Sequence, residues 1–400
     1  MKNNKSIPFF ITLISVTAAG PVAMQLYIPS VPVITKDFQV SLGIAQFAFS
    51  ISLVTMAISM LFYGPLSDKY GRKFILICGI LIFIIGSFIA LYSNNIISLI
   101  LGRIIQSIGG AGGLVISRAI VRDIYGPKEA ARVLGTLITI FIAAPMLAVI
   151  VGGFLSDYYG WRSIFILTIF IGIIILLLII FCLPEMKKKE NEITDIKSTF
   201  LAYMKLLKSP IFLGFAMQGA FAPGAFMSFM AVGPYLMIIN LERPASEFGI
   251  YFGIVTLIFM FANYIGGKYS RQIGIEKMVL IGAIISVIAG ISGLTLYLYL
   301  GLSVLLMFTI QTLSSIGNGI AMPSSQIGAM NVKPSISGTA SGAAAFFQTI
   351  MGAIFAQTVS SIDYNMALIL FIATLIAAIG AILFGSIPMI KKLNKYGELN

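Results

Sequence analysis

The stretch Gly64-Pro65-Leu66-Ser67-Asp68-Lys69-Tyr70-Gly71-Arg72-Lys73 separates two long apolar runs, one ending near Tyr63 and the next starting at Phe74. It holds one acid and three bases within ten residues, in a chain where only 10% of residues are charged. One reading is a solvated turn whose bases fix sidedness. The other is a gating loop of a transporter. Gly64 would permit close approach of helices, and Gly71 a turn that a side chain would block. Asp68 is placed to accept charge-assisted bonds from Arg72, or to sit at the positive end of a helix.

The surrounding chain decides what kind of loop this is. Of its 400 residues 58% are hydrophobic, and the mean hydropathy is +1.01; a soluble domain averages roughly 45–50% apolar. A helix needs ~20 mostly apolar residues to cross a ~30 Å hydrocarbon core. Twelve such runs follow one another: 8–33, 43–63, 74–92, 96–120, 132–154, 163–183, 211–239, 247–267, 277–299, 302–325, 337–360 and 365–387. The predicted fold class is an all-α integral membrane protein with twelve transmembrane helices.

The formal net charge of +12 would suit nucleic acid, but the bases sit in short linkers between apolar runs. Lys69, Arg72, Lys73, Arg122, Lys128, Lys187, Lys188, Lys189, Lys268, Arg271, Lys333, Lys391 and Lys392 fall on one side, and only Lys36, Arg162 and Arg243 on the other. That asymmetry predicts both termini and the quoted stretch in the cytoplasm, with the lipid bilayer as partner and no nucleic acid. The polar segment 184–210 divides the chain into predicted bundles of six helices, 1–183 and 211–400. Its composition predicts an amphipathic helix on the membrane surface around 196–207. The halves echo each other: Gly64-x-x-Ser67-x-x-x-Gly71 recurs as Gly267-x-x-Ser270-x-x-x-Gly274, and Gly135 matches Gly338. Parallel duplication of six spans is one way transporters are built, with the substrate path between the halves.

Several chemistries are excluded. There is no histidine, and Cys78 and Cys182 lie within apolar runs, so no metal site, cofactor or disulfide framework is expected. All fourteen Asp and Glu residues fall in loops or at span ends, with Asp37, Asp123, Asp157 and Asp363 as the edge candidates. An enzyme would lack an acid–base constellation, and none is expected. A nontransporting sensor would need an output domain for which 184–210 is too short.

Inside the spans, Arg103 is the conspicuous residue. A charge there is costly unless it faces protein or water, which makes it a functional candidate; the alternative is that it snorkels to the nearby interface. Gln106 lies one turn on along the same face, and Gln25 and Tyr27 are candidate polar groups of a mostly apolar pocket. Pro145 removes a helix hydrogen bond and bends span five, while Gly152 and Gly153 allow tight packing.

The quoted stretch resembles the cytoplasmic loop signature of the major facilitator superfamily. That resemblance implies the two-bundle major facilitator fold, and a conformational latch formed by Asp68 and Arg72 with Asp123, received by a helix start near Ser337-Gly338. Gly102-Arg103-Ile104-Ile105-Gln106 resembles the family's span-four signature, in which the arginine is linked to proton transfer. Ala143-Ala144-Pro145-Met146-Leu147-Ala148-Val149-Ile150-Val151-Gly152-Gly153 resembles the signature of the exporters, with alanines at the first glycine positions. Tyr27-Ile28-Pro29-Ser30-Val31-Pro32 and Ser117-Arg118-Ala119-Ile120-Val121-Arg122-Asp123 bring the resemblance to the drug:proton antiporter branch and the bicyclomycin-resistance type of exporter, although Gln25 stands where relatives often have aspartate. The resemblance implies a monomeric inner-membrane exporter of small drug-like molecules, exchanging them for protons by alternating access. The alternative is export of a metabolite such as a short peptide, amino acid or siderophore.

Overall fold

The structure, a computed structural model, describes residues 7–185, 204–333, 337–362 and 364–397. Within its helices the side chains at 122, 123, 125–143, 146, 271, 337, 338 and 393–397 are not described. Asp123 as a side chain, Asp363 and most of the expected surface helix at 196–207 therefore lie outside the described residues.

Every regular element among the described residues is helical, with eleven stretches long and apolar enough to cross a membrane. A shorter apolar helix, Leu147–Tyr159, stands where the fifth span is expected. The residues cluster into two compact units, Met1–Thr194 with Pro244–Ile250, and Asp195–Arg243 with Tyr251–Asn400.

In the first unit, α1 (Ile7–Tyr27) passes through a short 3-10 turn (Ile28–Ser30) into α2 (Val31–Phe38). Then come α3 (Leu42–Tyr70), α4 (Arg72–Leu91), α5 (Ile96–Tyr159) and α6 (Ser163–Cys182). Pro29 and Pro32 lack the N–H groups that a continuous α-helix would use, which accounts for the tightened turn between α1 and α2. Helix α5 doubles back on itself. Arg103 bonds to Ala23 and Gly152 abuts Leu26, three residues along the same partner helix, whereas a straight α5 at ~1.5 Å per residue would part them by about 70 Å. Phe9, Leu13, Val16, Phe83, Ile116 and Ile179 form the core where α1, α4, α5 and α6 meet.

The second unit contains α7 (Pro210–Phe221), α8 (Gly224–Tyr235) ending in a π-turn (Leu236–Asn240), and most of α9 (Ala245–Ile273). It continues with α10 (Ile275–Leu300), α11 (Val304–Asn331), α12 (Ser337–Ser360) and α13 (Met366–Gly397). Phe212, Phe215, Val279 and Ala340 form one core cluster, and Leu306, Ile310 and Phe371 another. Large apolar side chains such as Phe74, Ile85, Phe170 and Phe181 remain exposed. A helix apolar on all sides belongs in lipid.

The opening stretch is not the loop the sequence suggests. Helix α3 continues through Tyr70, α4 starts at Arg72, and Gly71 alone makes the break with φ 99° and ψ 139°. Gly274 does the same between α9 and α10, with φ 98° and ψ 143°. Positive φ costs glycine little and other residues more, so one residue suffices where a polar loop was expected. Ser67 Oγ donates to Gly64 O at 2.9 Å and Ser270 Oγ to Gly267 O at 2.8 Å. The repeat is a repeat of geometry.

It extends into the spans. A Cβ on Gly79 would meet Gly109 O, and one on Gly109 would meet Gly79 O. Gly282 and Gly317 stand in the same reciprocal contact between α10 and α11. The first turns of α4 and α10 also anchor alike. Lys73 Nζ donates to Ile180 O at 2.8 Å near the end of α6, while Glu276 accepts from Lys392 of α13 at 3.1 Å.

Substitution at these contacts provides a test. Gly109→Val would drive a side chain into the backbone of Phe83 and Gly79, and overpacking of this kind costs about 1–3 kcal/mol or more. We expect a large loss of monodisperse protein on size-exclusion chromatography. Gly64→Ala is expected to elute normally, since its Cβ would meet only Val115 Cγ1 at 3.9 Å.

Candidate functional site

The most polar interior of the first unit is built around Arg103, which is 1% exposed. It does not snorkel. Nη1 donates to Ala23 O at 3.2 Å and to Oε1 of Gln106. Gln106 is likewise 1% exposed, and its Nε2 donates to Ser87 Oγ at 2.7 Å and reaches Thr168 Oγ1 at 3.5 Å. These two hydroxyl acceptors fix the amide so that its oxygen faces the guanidinium. Gln106 is thus committed to links among α4, α5 and α6 rather than standing free in a pocket.

Tyr27 lies over the cation, its ring centroid 4.8 Å from Arg103 Cζ. Its hydroxyl is held by donation to Ala45 O at 2.9 Å. A desolvated cation–π contact of this kind contributes roughly 2 kcal/mol. It leaves the remaining N–H groups unbonded: Arg103 Nε and Nη2 are buried with no hydrogen-bond partner, as is Gln25 Oε1 on half-buried Gln25.

Asp68, Asp37 and Asp157 lie elsewhere and are engaged. Asp68 pairs with Arg72 at 3.0 Å, and Arg72 Nη1 also reaches Ser67 Oγ at 3.4 Å. Arg72 is 6% exposed, so this pair sits partly withdrawn from water although it flanks the Gly71 break. Asp37 accepts from Trp161 Nε1 at 2.8 Å and from Arg162 at 3.1 Å. Arg162 stacks over the indole at 4.1 Å and bonds Ser93 O at 3.1 Å. This knot ties α2, the turn after α4 and the turn before α6 together. Asp157 accepts from the N–H groups of Ala245 and Ser246 at 3.2 and 2.8 Å, capping a helix start other than its own.

The remaining predicted residues fall as follows. Gly152 abuts Leu26 O, where a Cβ would stand at 2.5 Å, and Gly153 abuts Ala245 O at 2.6 Å. Pro145 is half-buried within α5. Gly71 supplies its positive φ, whereas Gly64 makes no close approach. Asp68 and Arg72 meet each other, Arg103 gathers Tyr27 and Gln106, and these two groups remain distinct. Sequence reading missed Gln46, which is 0% exposed with neither amide atom partnered, and missed Ser87 and Thr168 as holders of Gln106. A polar side chain inside an apolar run was the available signal for all three. Among the described residues no three His, Cys, Asp or Glu side chains gather as a metal site.

The family model described as Major Facilitator Superfamily matches residues 13–356. The bicyclomycin resistance protein homolog of Haemophilus influenzae is 27% identical over 363 residues, covering 90% of each chain. The multidrug resistance protein MdtL of Citrobacter koseri is 34% identical over 177 residues, covering 44% of this chain and 45% of that one. Among solved structures, the bacterial homolog of the human lysosomal transporter Spinster superposes with a TM-score of 0.74 at 16% identity, covering 98% of this chain and 96% of the other. The D-xylose-proton symporter gives 0.73 at 15% identity, with 94% and 97% coverage. At those identities the structures speak for the fold alone.

Trp161 is the single tryptophan of the chain, so the Asp37 knot carries its own reporter. Asp37→Ala strands the buried indole N–H and is expected to cost about 1–3 kcal/mol. Intrinsic fluorescence of the purified protein should shift, and its thermal midpoint should fall. An unchanged spectrum and midpoint would mean that the knot does not hold.

Proposed function

The chain belongs to the Major Facilitator Superfamily, and from that premise we propose that it exports small drug-like molecules across the inner membrane in exchange for protons. It is a multi-pass membrane transporter; the cargo, the coupling ion and the cycle are the proposed part. The observation that carries the reading is similarity along 90% of both chains to a bicyclomycin resistance protein homolog. Matches to multidrug resistance proteins over shorter spans support it.

In this reading the two bundles, 1–183 and 211–400, joined by 184–210, alternate access to a shared path. The Lys and Arg asymmetry supports a cytoplasmic position for both termini and for the Gly71 break. Asp68 and Arg72, with Asp123, form the conformational latch, and the ion pair at 3.0 Å supports the first two members. Arg103, Gln25 and Tyr27 contribute the first unit's polar share of the path, with Gln106 holding the guanidinium in place. Pro145, Gly152 and Gly153 shape the exporter helix that packs beside it. The protein works as a monomer.

Two outcomes are expected. Cells expressing the protein should accumulate less of some antibiotic or dye than control cells, and a protonophore should abolish the difference. Unchanged accumulation across a broad panel would remove drug export and favour a metabolite as cargo. Separately, Asp68→Asn should cut transport at least about tenfold, a loss of ~1.4 kcal/mol or more, while membrane insertion and yield stay normal. Full transport in that variant would remove the latch.

A further inference from the structure

Arg103 has a second property that its hydrogen bonds leave unused. The two nitrogens without partners, Nε and Nη2, form one edge of the guanidinium, and their N–H groups point the same way. That edge matches the two oxygens of a carboxylate, which it binds with parallel hydrogen bonds. A buried cation whose fork is empty carries an uncompensated desolvation cost. No carboxylate among the described residues meets it: Asp37, Asp68, Asp157 and Glu276 each have other partners at 2.8–3.2 Å. The spans themselves hold acids only in their first or last turns.

The missing carboxylate and the empty fork are two halves of one observation. We propose that the Nε–Nη2 edge of Arg103 receives an oxyanion of the carboxylate class, brought by the transported molecule. The proposal rests on the exporter reading for its cargo and narrows that cargo to molecules bearing such a group. Gln106 is a positioning residue: it occupies Nη1, the nitrogen opposite the free edge. Tyr27 covers a face of the guanidinium and leaves the edge unbonded. Since Arg103 is 1% exposed, a bound carboxylate would be out of water, where charge-assisted bonds are strongest. Its arrival also requires the packing over that edge to open.

The test uses the purified full-length protein and three probes at matched ionic strength: benzoate, its neutral isostere benzamide, and chloride. Thermal unfolding is followed by thiol-dye labelling of Cys78 and Cys182, both half-buried in the folded protein. Benzoate should raise the midpoint in a saturable way, and benzamide and chloride should not. Arg103→Gln should abolish the rise. Arg103→Lys keeps the charge but loses the fork, and should weaken apparent benzoate affinity by at least about tenfold; it serves as the deciding variant if Arg103→Gln does not fold. No benzoate effect, an equal effect of benzamide, or wild-type affinity in Arg103→Lys would overturn the proposal. An equal rise with chloride would overturn the transported carboxylate in favour of a free inorganic anion. The export assay is separate. Drug export with no benzoate effect sinks the Arg103 receptor alone, and a benzoate effect with no drug export supports the receptor while sinking the drug-export reading.

Discussion

Helices in a bilayer gain nothing from hiding apolar surface from one another, since lipid is as apolar as leucine. What holds them is close contact, with the backbone polar groups satisfied inside each helix. Among the described residues close contact is met at four reciprocal pairs of glycines, Gly20 with Gly110, Gly79 with Gly109, Gly86 with Gly102 and Gly282 with Gly317, at which helix backbones touch. Much of the arrangement around Arg103 follows from Gly86, which lies against Gly102 and the backbone of Gln106. With α4 drawn against α5, Ser87 comes within 2.7 Å of Gln106, and Gln106 is fixed facing the arginine. A wider crossing would leave the amide free to turn and the cation without its neutral oxygen.

The same constraint explains why Arg103 stands apart from the other charges. Asp68, Arg72, Asp37, Arg162, Glu276 and Lys392 all find partners of opposite sign. Arg103 has a carbonyl, an amide oxygen and an aromatic face, all neutral. Each is an acceptor of moderate strength, and none of them cancels the charge of the guanidinium. A permanent carboxylate beside it would neutralise the site. The arrangement fits a cation that is to meet its counter-charge part of the time.

The fold was largely legible in the sequence because its signal is length. Apolar runs of about twenty residues and the Gly64/Gly267 echo are visible without geometry. Boundaries failed where polar residues do not break a helix. Gly64–Tyr70 is rich in charge and yet helical, because Gly71 alone provides the turn. The site was legible only in part. Arg103 announces itself as a charge in an apolar run, but its contact with Ala23 and Gln106's contacts with Ser87 and Thr168 join helices distant in the chain. Gln46 was passed over, and Gly64 was credited with a packing role that its open surroundings do not require. Small polar residues within spans have no fixed meaning until their neighbours are known.

The duplicated break shows what kind of information the two halves share. Gly71 and Gly274 have nearly the same dihedral angles, and Ser67 and Ser270 make the same hydrogen bond. Yet Asp68 corresponds to Arg271, Arg72 to Ile275 and Lys73 to Glu276. The residues that set backbone geometry coincide, and those that carry charge differ. Lys73 and Glu276 still tie the same pair of elements in each unit, one by donating to a helix carbonyl and the other by accepting from Lys392. Anchoring can therefore be met by either sign, because any bonded pair will serve. The Asp68–Arg72 pair has no counterpart at Arg271 and Ile275, so a latch built on it would be one-sided. A structural role tolerates exchange of charge at a repeated position, and the pair that is not reproduced is the one for which a task beyond holding the fold has to be sought.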